Sequence, residues 1–520
     1  MHIRKALIIT ACIFTVFGCK TYKRNKSHEN VSIESIKKGE VLATQYCHSC
    51  HQLPDPSLLD AKTWENGVLP AMGPRLGIFA YGFREYPSYR NDVSLDKNFY
   101  PSQPVLSNIQ WQNIIDYYTA TSPDSLYEQQ YRQPIDTSLS QFTIQPLSWT
   151  PTPAATCFVS LDSTLMPHRL IATDLIKRCI RCIDPAMHVA DSVYSDGPIV
   201  GIDRQQNNML LCNIGILNPT NTKQGSITRV PLDRTGKFRE DSVTFLNQLA
   251  RPVMVKSADM NGDGNTDYIV CEFGNLTGSL SWYENKGANG FEKHVLRSAP
   301  GAIQVYVQDY NHDGLPDIWA LFAQGDEGIF LFTNKGHGQF NSREVLQFPP
   351  VNGSSSFEMV DFNKDGHPDI VYTCGDNADY SPILKPYHGV YVYLNDGRAQ
   401  FKQHFFFHIN GCYKALARDY DNDGDLDIAA ISFFADYATR PQESFVYLDN
   451  KAGKWEAHTF PLSQQGRWIT MSAGDLDGDG FIDLALANFS LAPSPFKSSV
   501  NWKQGPAVLF LKNRGKHPAP

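Results

Sequence analysis

A nine-residue pattern occurs five times in this chain and limits its fold more than any other feature. Its odd positions are Asp259, Asn261, Asp263, Asn265 and Asp267 in the first copy, and Asp309, Asn311, Asp313, Leu315 and Asp317 in the second. Asp361, Asn363, Asp365, His367 and Asp369 follow, then Asp419, Asp421, Asp423, Asp425 and Asp427, then Asp475, Asp477, Asp479, Phe481 and Asp483. Glycine fills the sixth position of every copy. Successive first aspartates are 50, 52, 58 and 56 residues apart, the length of a four-stranded propeller blade rather than of a short solenoid repeat.

Oxygen-bearing side chains at alternate positions wrap a hard cation, and glycine after the third of them permits the tight turn. The backbone carbonyl of the seventh position (Asn265, Leu315, His367, Asp425, Phe481) would complete a set suited to Ca2+. The first six positions also match an EF-hand, which needs glutamate at position twelve and a helix on each side. The twelfth residues here are Val270, Ala320, Tyr372, Ala430 and Leu486, and the flanks alternate as strands do, so an EF-hand is excluded. The ninth aspartate is expected to close each site instead.

Each unit continues with an apolar strand, an asparagine, a turn and an aromatic residue, as in Trp282 to Asn285 and Phe291, or Phe330 to Asn334 and Phe340. This predicts a hairpin that completes a four-stranded blade, with the last copy at Leu509 to Asn513. Upstream, Val200 to Asp203 followed by Met209 reads as a copy without metal ligands, and Leu170 to Ile183 offers strands for another. Residues 151–514 therefore fit about seven blades, with six or eight also compatible.

The formal charge of −8 follows from the same loops. Five Ca2+ ions would add ten positive charges, and removal of Arg4 and Lys5 with a signal peptide would take away two, leaving the chain near neutrality. The acidity thus implies no basic partner, and nothing points to nucleic acid.

A second motif, Cys47-His48-Ser49-Cys50-His51, has the spacing of a covalent haem c attachment site. Two thiols reach the two vinyl groups of one porphyrin, and the adjacent imidazole of His51 faces the iron. Between Cys19 and residue 165 the one methionine is Met72, in a Pro- and Gly-rich stretch read as a loop. It is the expected sixth ligand; the alternative is that Met72 only packs. Ser32 is placed to cap a helix leading into the motif, and Ser107 with Gln110 forms a capping-box signature for a second helix ending near Ser122. Gly39 would let the two helices approach closely. These features predict a small all-α cytochrome c domain over residues 32–130, joined to the propeller by a linker over 131–150.

The N-terminus carries Arg4 and Lys5, an apolar run and then Gly18-Cys19, which reads as a signal peptide over residues 1–19. Gly18 before Cys19 resembles a lipobox, although Phe17 stands where such motifs carry a small residue; a plain secretion signal is the alternative. Residues 20–31 would be a tether. Lys20, in place of aspartate, favours the outer membrane by resemblance. Seven cysteines remain (Cys157, Cys179, Cys182, Cys212, Cys271, Cys374, Cys412), an odd number that gives no complete disulfide framework. Cys179 and Cys182 repeat the CxxC spacing without a following histidine and read as buried thiols of a strand over 175–183.

The aspartate loops and their hairpins resemble the FG-GAP or VCBS repeat of integrin-like β-propellers. With Cys47 to His51 and Met72, the chain resembles secreted lipoprotein fusions of a c-type cytochrome with such a propeller. The resemblance implies an exported electron-transfer protein, in the periplasm or on the cell surface, lipid-anchored through Cys19. It would carry one His/Met haem c and about five Ca2+, and its propeller would dock a redox partner protein or a ligand such as a glycan. The alternative is that the propeller is itself a dehydrogenase passing electrons to the haem, which needs a further cofactor. No catalytic residue is assigned, and the carrier reading is preferred over an enzyme. Long links over 376–389, 436–441 and 488–502 would build a polar, aromatic rim on one face, the candidate docking surface.

Overall fold

The strands that follow the aspartate loops decide the architecture. Asp267–Glu272, Asp317–Phe322, Asp369–Cys374, Asp427–Ser432 and Asp483–Asn488 bury every residue, not alternate ones. Such strands need a sheet covered on both faces, and in a propeller each blade is covered by its two neighbours. The computed structural model, which describes residues 22–126, 133–145, 147, 151–163, 165–378 and 380–515, shows this arrangement. The proposed signal peptide and Cys19 lie outside the described residues.

Seven four-stranded antiparallel sheets form the propeller. Blades 1 to 6 cover residues 156–194, 199–249, 252–297, 302–347, 354–408 and 412–458, each running from its inner strand outward. Neighbouring blades meet through apolar clusters. Trp319, Leu321 and Leu331 of blade 4 pack on Phe357, Ile370 and Tyr372 of blade 5. The aspartate loops join first to second strands in blades 3 to 7 and share one face. Antiparallel alternation puts the second-to-third strand links and the connectors between blades on the opposite face. Those links are long in blades 5, 6 and 7.

Blade 7 corrects the expected domain boundaries. Strands Trp468–Gly474, Asp483–Asn488 and Val508–Asn513 form three of its strands, and the fourth is Phe142–Gln145. Phe142 pairs with Asn513 and Ile144 with Leu511. Part of the expected linker is therefore propeller, and the last copy at Leu509 to Asn513 has no hairpin of its own. The partners stand at opposite ends of the propeller sequence, so no local turn signal announced the pairing. A smaller correction concerns residues 175–183: the strand begins at Cys179, after a turn over 175–178.

Residues 22–126 build a helical unit around two long helices, Ile33–Tyr46 and Asn108–Thr121. Ser32 caps the first and accepts from the Ser35 N–H; Ser107 and Gln110 cap the second reciprocally. The helices cross at Gly39, where an added Cβ would lie 1.9 Å from the Asn113 carbonyl oxygen. Residues 61–76 form consecutive short helical turns, so Met72 ends the turn Leu69–Met72 instead of sitting in a loop. Pro70 and Pro74, which suggested a loop, stand early in new turns where no donor is needed. The expected tether is also shorter: the Asn25 N–H donates to the Ala120 carbonyl at 2.9 Å, and Tyr22 and Val31 pack on the helical core.

The helical unit rests on the link face of the propeller. Tyr387 donates its hydroxyl to the Leu58 carbonyl at 3.1 Å. Val351 shares the cluster of Leu59, Trp64 and Trp111, and Asn221 donates to Asp92 at 2.8 Å.

Phe142 is 5 % exposed and packs edge-on to Tyr420 and Tyr447 of blade 6. Phe142→Ala is expected to destabilise the protein by about 3 kcal/mol. A loss under about 1 kcal/mol in denaturant titration would show that the ring closes without this strand.

Candidate functional site

The five aspartate loops share one hydrogen-bond scheme. The first aspartate accepts through Oδ2 from the N–H of the sixth-position glycine, at 2.9 Å in four copies and 3.1 Å for Asp419. The fifth-position aspartate accepts through Oδ1 from the seventh N–H at 2.7 to 3.0 Å in all five. The glycines hold φ between 82° and 104°, a region open to glycine without strain. Side chains that take one hydrogen bond per oxygen keep a second lone pair for a cation.

The ninth-position aspartates are fully buried. Oδ2 of Asp267, Asp317, Asp369, Asp427 and Asp483 accepts from the second-position N–H at 2.9 to 3.2 Å. Oδ1 accepts from the N–H of Asn285, Asn334, Asn395, Asn450 or Asn513 on the third strand, at 2.8 or 2.9 Å. Each asparagine amide then donates to the eighth-position carbonyl (Thr266, Pro316, Pro368, Leu426 or Ile482). The repeated asparagines were visible in the sequence, but their task of clasping loop to third strand was not foreseen. Burial raises the carboxyl pKa of all five aspartates, to about 7 at Asp427 and Asp483.

Two loops bring three carboxylates within 4.8 Å of one another: Asp419, Asp421 and Asp423, and Asp475, Asp477 and Asp483. The first three loops carry Asn261, Asn311 or Asn363 at position three and so hold fewer charges. In the fifth loop the Lys512 ammonium pairs with Asp477 and stands 3.4 Å from Asp479.

Cys47 caps the end of the helix Ile33–Tyr46 and is half-buried; Cys50 is exposed. Burial, with the neighbouring Cys50, pushes the Cys47 thiol up to about 12. His51 Nδ1 lies 2.8 Å from the Gln52 carbonyl. A carbonyl only accepts, so Nδ1 carries the proton and Nε2 keeps its lone pair for a metal. Met72 is half-buried. A thiol pair beside an imidazole with a free Nε2 is a donor set that fits a covalently held haem. The nine cysteines among the described residues are all free thiols; Cys157, Cys182, Cys212, Cys271, Cys374 and Cys412 are buried, whereas Cys179, expected to be buried, is half-buried at the start of its strand.

Residues 491–502 of the blade 7 link are exposed or half-buried. Tyr437 packs its ring 4.6 Å from Trp502, and Phe433, Phe434 and Phe489 form one buried cluster at the channel mouth. No helix among the described residues is long and apolar enough to cross a membrane.

A profile of the FG-GAP-like repeat matches residues 259–320, 309–372 and 419–486, each match joining two consecutive aspartate loops. The chain carries FG-GAP-like repeats on a seven-bladed propeller. Cartilage acidic protein 1 of Xenopus tropicalis is 27 % identical over 205 residues, 36 % of this chain and 29 % of that protein. Integrin alpha-PS3 of Drosophila melanogaster is 34 % identical over 98 residues, 16 % of this chain and 9 % of its own. The chain thus spans about a third or less of the curated relatives it matches. A solved structure of virginiamycin B lyase from Staphylococcus aureus aligns with TM-score 0.45 and 11 % identity, covering 71 % of this chain and 99 % of that one.

Asp369→Ala removes the acceptor for the N–H groups of Phe362 and Asn395 inside the blade. It is expected to cost about 3 kcal/mol, whereas the exposed Asp365→Ala in cation-free buffer should cost under about 1 kcal/mol. Equal losses in urea titrations would refute the structural role of the ninth position.

Proposed function

We propose that this chain is an exported electron-transfer protein whose helical unit holds one covalent haem c and whose propeller, stiffened by Ca2+, docks a partner protein or ligand. The observation that carries the reading is the Cys47 to His51 motif at a capped helix end, with His51 Nδ1 tied to the Gln52 carbonyl at 2.8 Å. Cys47 and Cys50 would form the thioether links, His51 Nε2 would face the iron, and Met72 would supply the sixth ligand. Such a group, when bound, supplies reversible one-electron transfer. The chain's own residues orient the imidazole, bury one thiol and keep the other at the surface.

The five loops are proposed Ca2+ sites, with the first, third and fifth side chains and the seventh carbonyl as donors and the ninth carboxylate as inner anchor. In the fifth loop the ion would have to displace the Lys512 ammonium. The FG-GAP-like repeats support a binding role for the propeller. A lipid anchor at Cys19, outer-membrane residence and a redox partner or surface glycan complete the proposal.

Protein purified from a host that matures c-type cytochromes is expected to show a sharp reduced α-band. Cys50→Ala should reduce the covalent haem to a single thioether link. Met72→Ala should keep two links and lose the methionine–iron band of the oxidised form, with a lower midpoint potential. Wild-type protein without bound haem would end the electron-transfer reading.

Chelation with EGTA is expected to lower the Tm, and excess Ca2+ to restore it. Free Ca2+ at a hundredfold Kd stabilises by about 2.7 kcal/mol per site. An unchanged Tm would remove calcium from the account of the loops.

A further inference from the structure

The residue just before each inner strand lies at the mouth of the central channel, on the face opposite the aspartate loops. Its carbonyl accepts one recurring hydrogen bond from the end of the second strand. Gly301, Gly353 and Gly411 accept from Ala323, Gly375 and Phe433 at 2.8, 2.8 and 3.2 Å. Arg251 and Arg467 accept from Phe273 and Phe489 at 3.1 and 2.9 Å, so they occupy the same structural position in blades 3 and 7. The three glycines have φ of 91°, 66° and 61°, and Arg251 holds φ 46°. Ala155 and Pro198 take the position in blades 1 and 2 without positive φ. Arg251 instead holds a long side chain in the left-handed region that blades 4 to 6 fill with glycine, which implies a use for it.

Both guanidiniums are buried at the mouth. Arg467 is 0 % exposed, donates from Nε to the Phe433 carbonyl at 3.0 Å, and lies 3.8 Å over the Phe433 ring. Its Nη2 is buried without a well-formed hydrogen bond, and the Tyr437 hydroxyl stands beside the guanidinium. Arg251 is 8 % exposed and donates to the carbonyls of Gly274, Ile216 and Leu217. Tyr413, on the inner strand of blade 6, lies within electrostatic reach of both arginines and of Asp376. Among the described residues Asp376 is the carboxylate that acts on Arg467. Carbonyls satisfy N–H groups but do not cancel charge, and burial holds both arginines below their ordinary pKa.

We propose that the channel mouth binds the oxyanion group of a small ligand, a carboxylate or a phosphate, through Arg251 and Arg467 with the Tyr413 hydroxyl as a further donor. The planar guanidinium forks match such groups, and the rings of Phe433 and Trp502 flank the site. The inference rests on reading the link face as the ligand side of the propeller and names the chemistry that face would select. The Ala492 carbonyl, 2.5 Å from Arg467 Nη1, belongs to the blade 7 link.

The test is calorimetric titration of the full chain with D-glucuronate, inorganic phosphate and neutral D-glucose, repeated on Arg251→Gly. That variant restores the glycine of blades 4 to 6 but takes the donor from the Gly274, Ile216 and Leu217 carbonyls, so its Tm is measured first to establish that it is folded. Saturable binding of glucuronate or phosphate, absent for glucose and at least tenfold weaker in the variant, supports the site. Which anion binds identifies the source of the oxyanion. No anion binding, or equal affinity in a folded Arg251→Gly, overturns it. The haem spectrum of the same samples reads the two proposals apart. Haem without anion binding removes this site alone, and anion binding without haem removes the electron-transfer reading alone.

Discussion

The propeller depends on a buried carboxylate repeated five times. In blades 3 to 7 the ninth loop aspartate accepts two backbone N–H groups, one from its own loop and one from the third strand. A buried anion is costly unless its lone pairs are used, and here they organise the region where loop, second strand and third strand meet. The fully buried second strands become possible because their polar ends are resolved in this way. The exposed oxygens of each loop are left over from that arrangement, on the side where a cation could reach them.

The division of labour between faces follows from strand direction. One face carries the aspartate loops. The other carries the long links, the helical unit and the channel-mouth arginines, and blade 2 touches both of the latter. Leu217 gives its carbonyl to Arg251, and Asn221, four residues later, donates to Asp92 of the helical unit. A ligand at the mouth and an electron carrier in the helical unit would therefore be neighbours on one surface.

Much of this was legible in the sequence because it repeats or caps. Five aspartate patterns at blade spacing gave the propeller, and Ser32, Ser107 and Gln110 marked where helices begin. What escaped was non-local. Phe142–Gln145 is four ordinary strand residues whose partner arrives at the far end of the chain. Met72 was placed in a loop because Pro70 and Pro74 were read as breakers, although both suit the start of a helical turn. Arg251 and Arg467 carried no motif; their equivalence to Gly301, Gly353 and Gly411 emerges only when the blades are superposed through their hydrogen bonds.

The borrowed strand of blade 7 also sets an order of events. A chain emerging amino-end first presents the helical unit and Phe142–Gln145 long before Val508–Asn513 exists to receive that strand. Pairing between distant segments is slow, and until it happens the first and last blades expose their flanks. The ring is therefore a latch that shuts only once Val508–Asn513 has been made. A chain cut short before residue 508 would leave Phe142–Gln145 without its partner strand and the ring open.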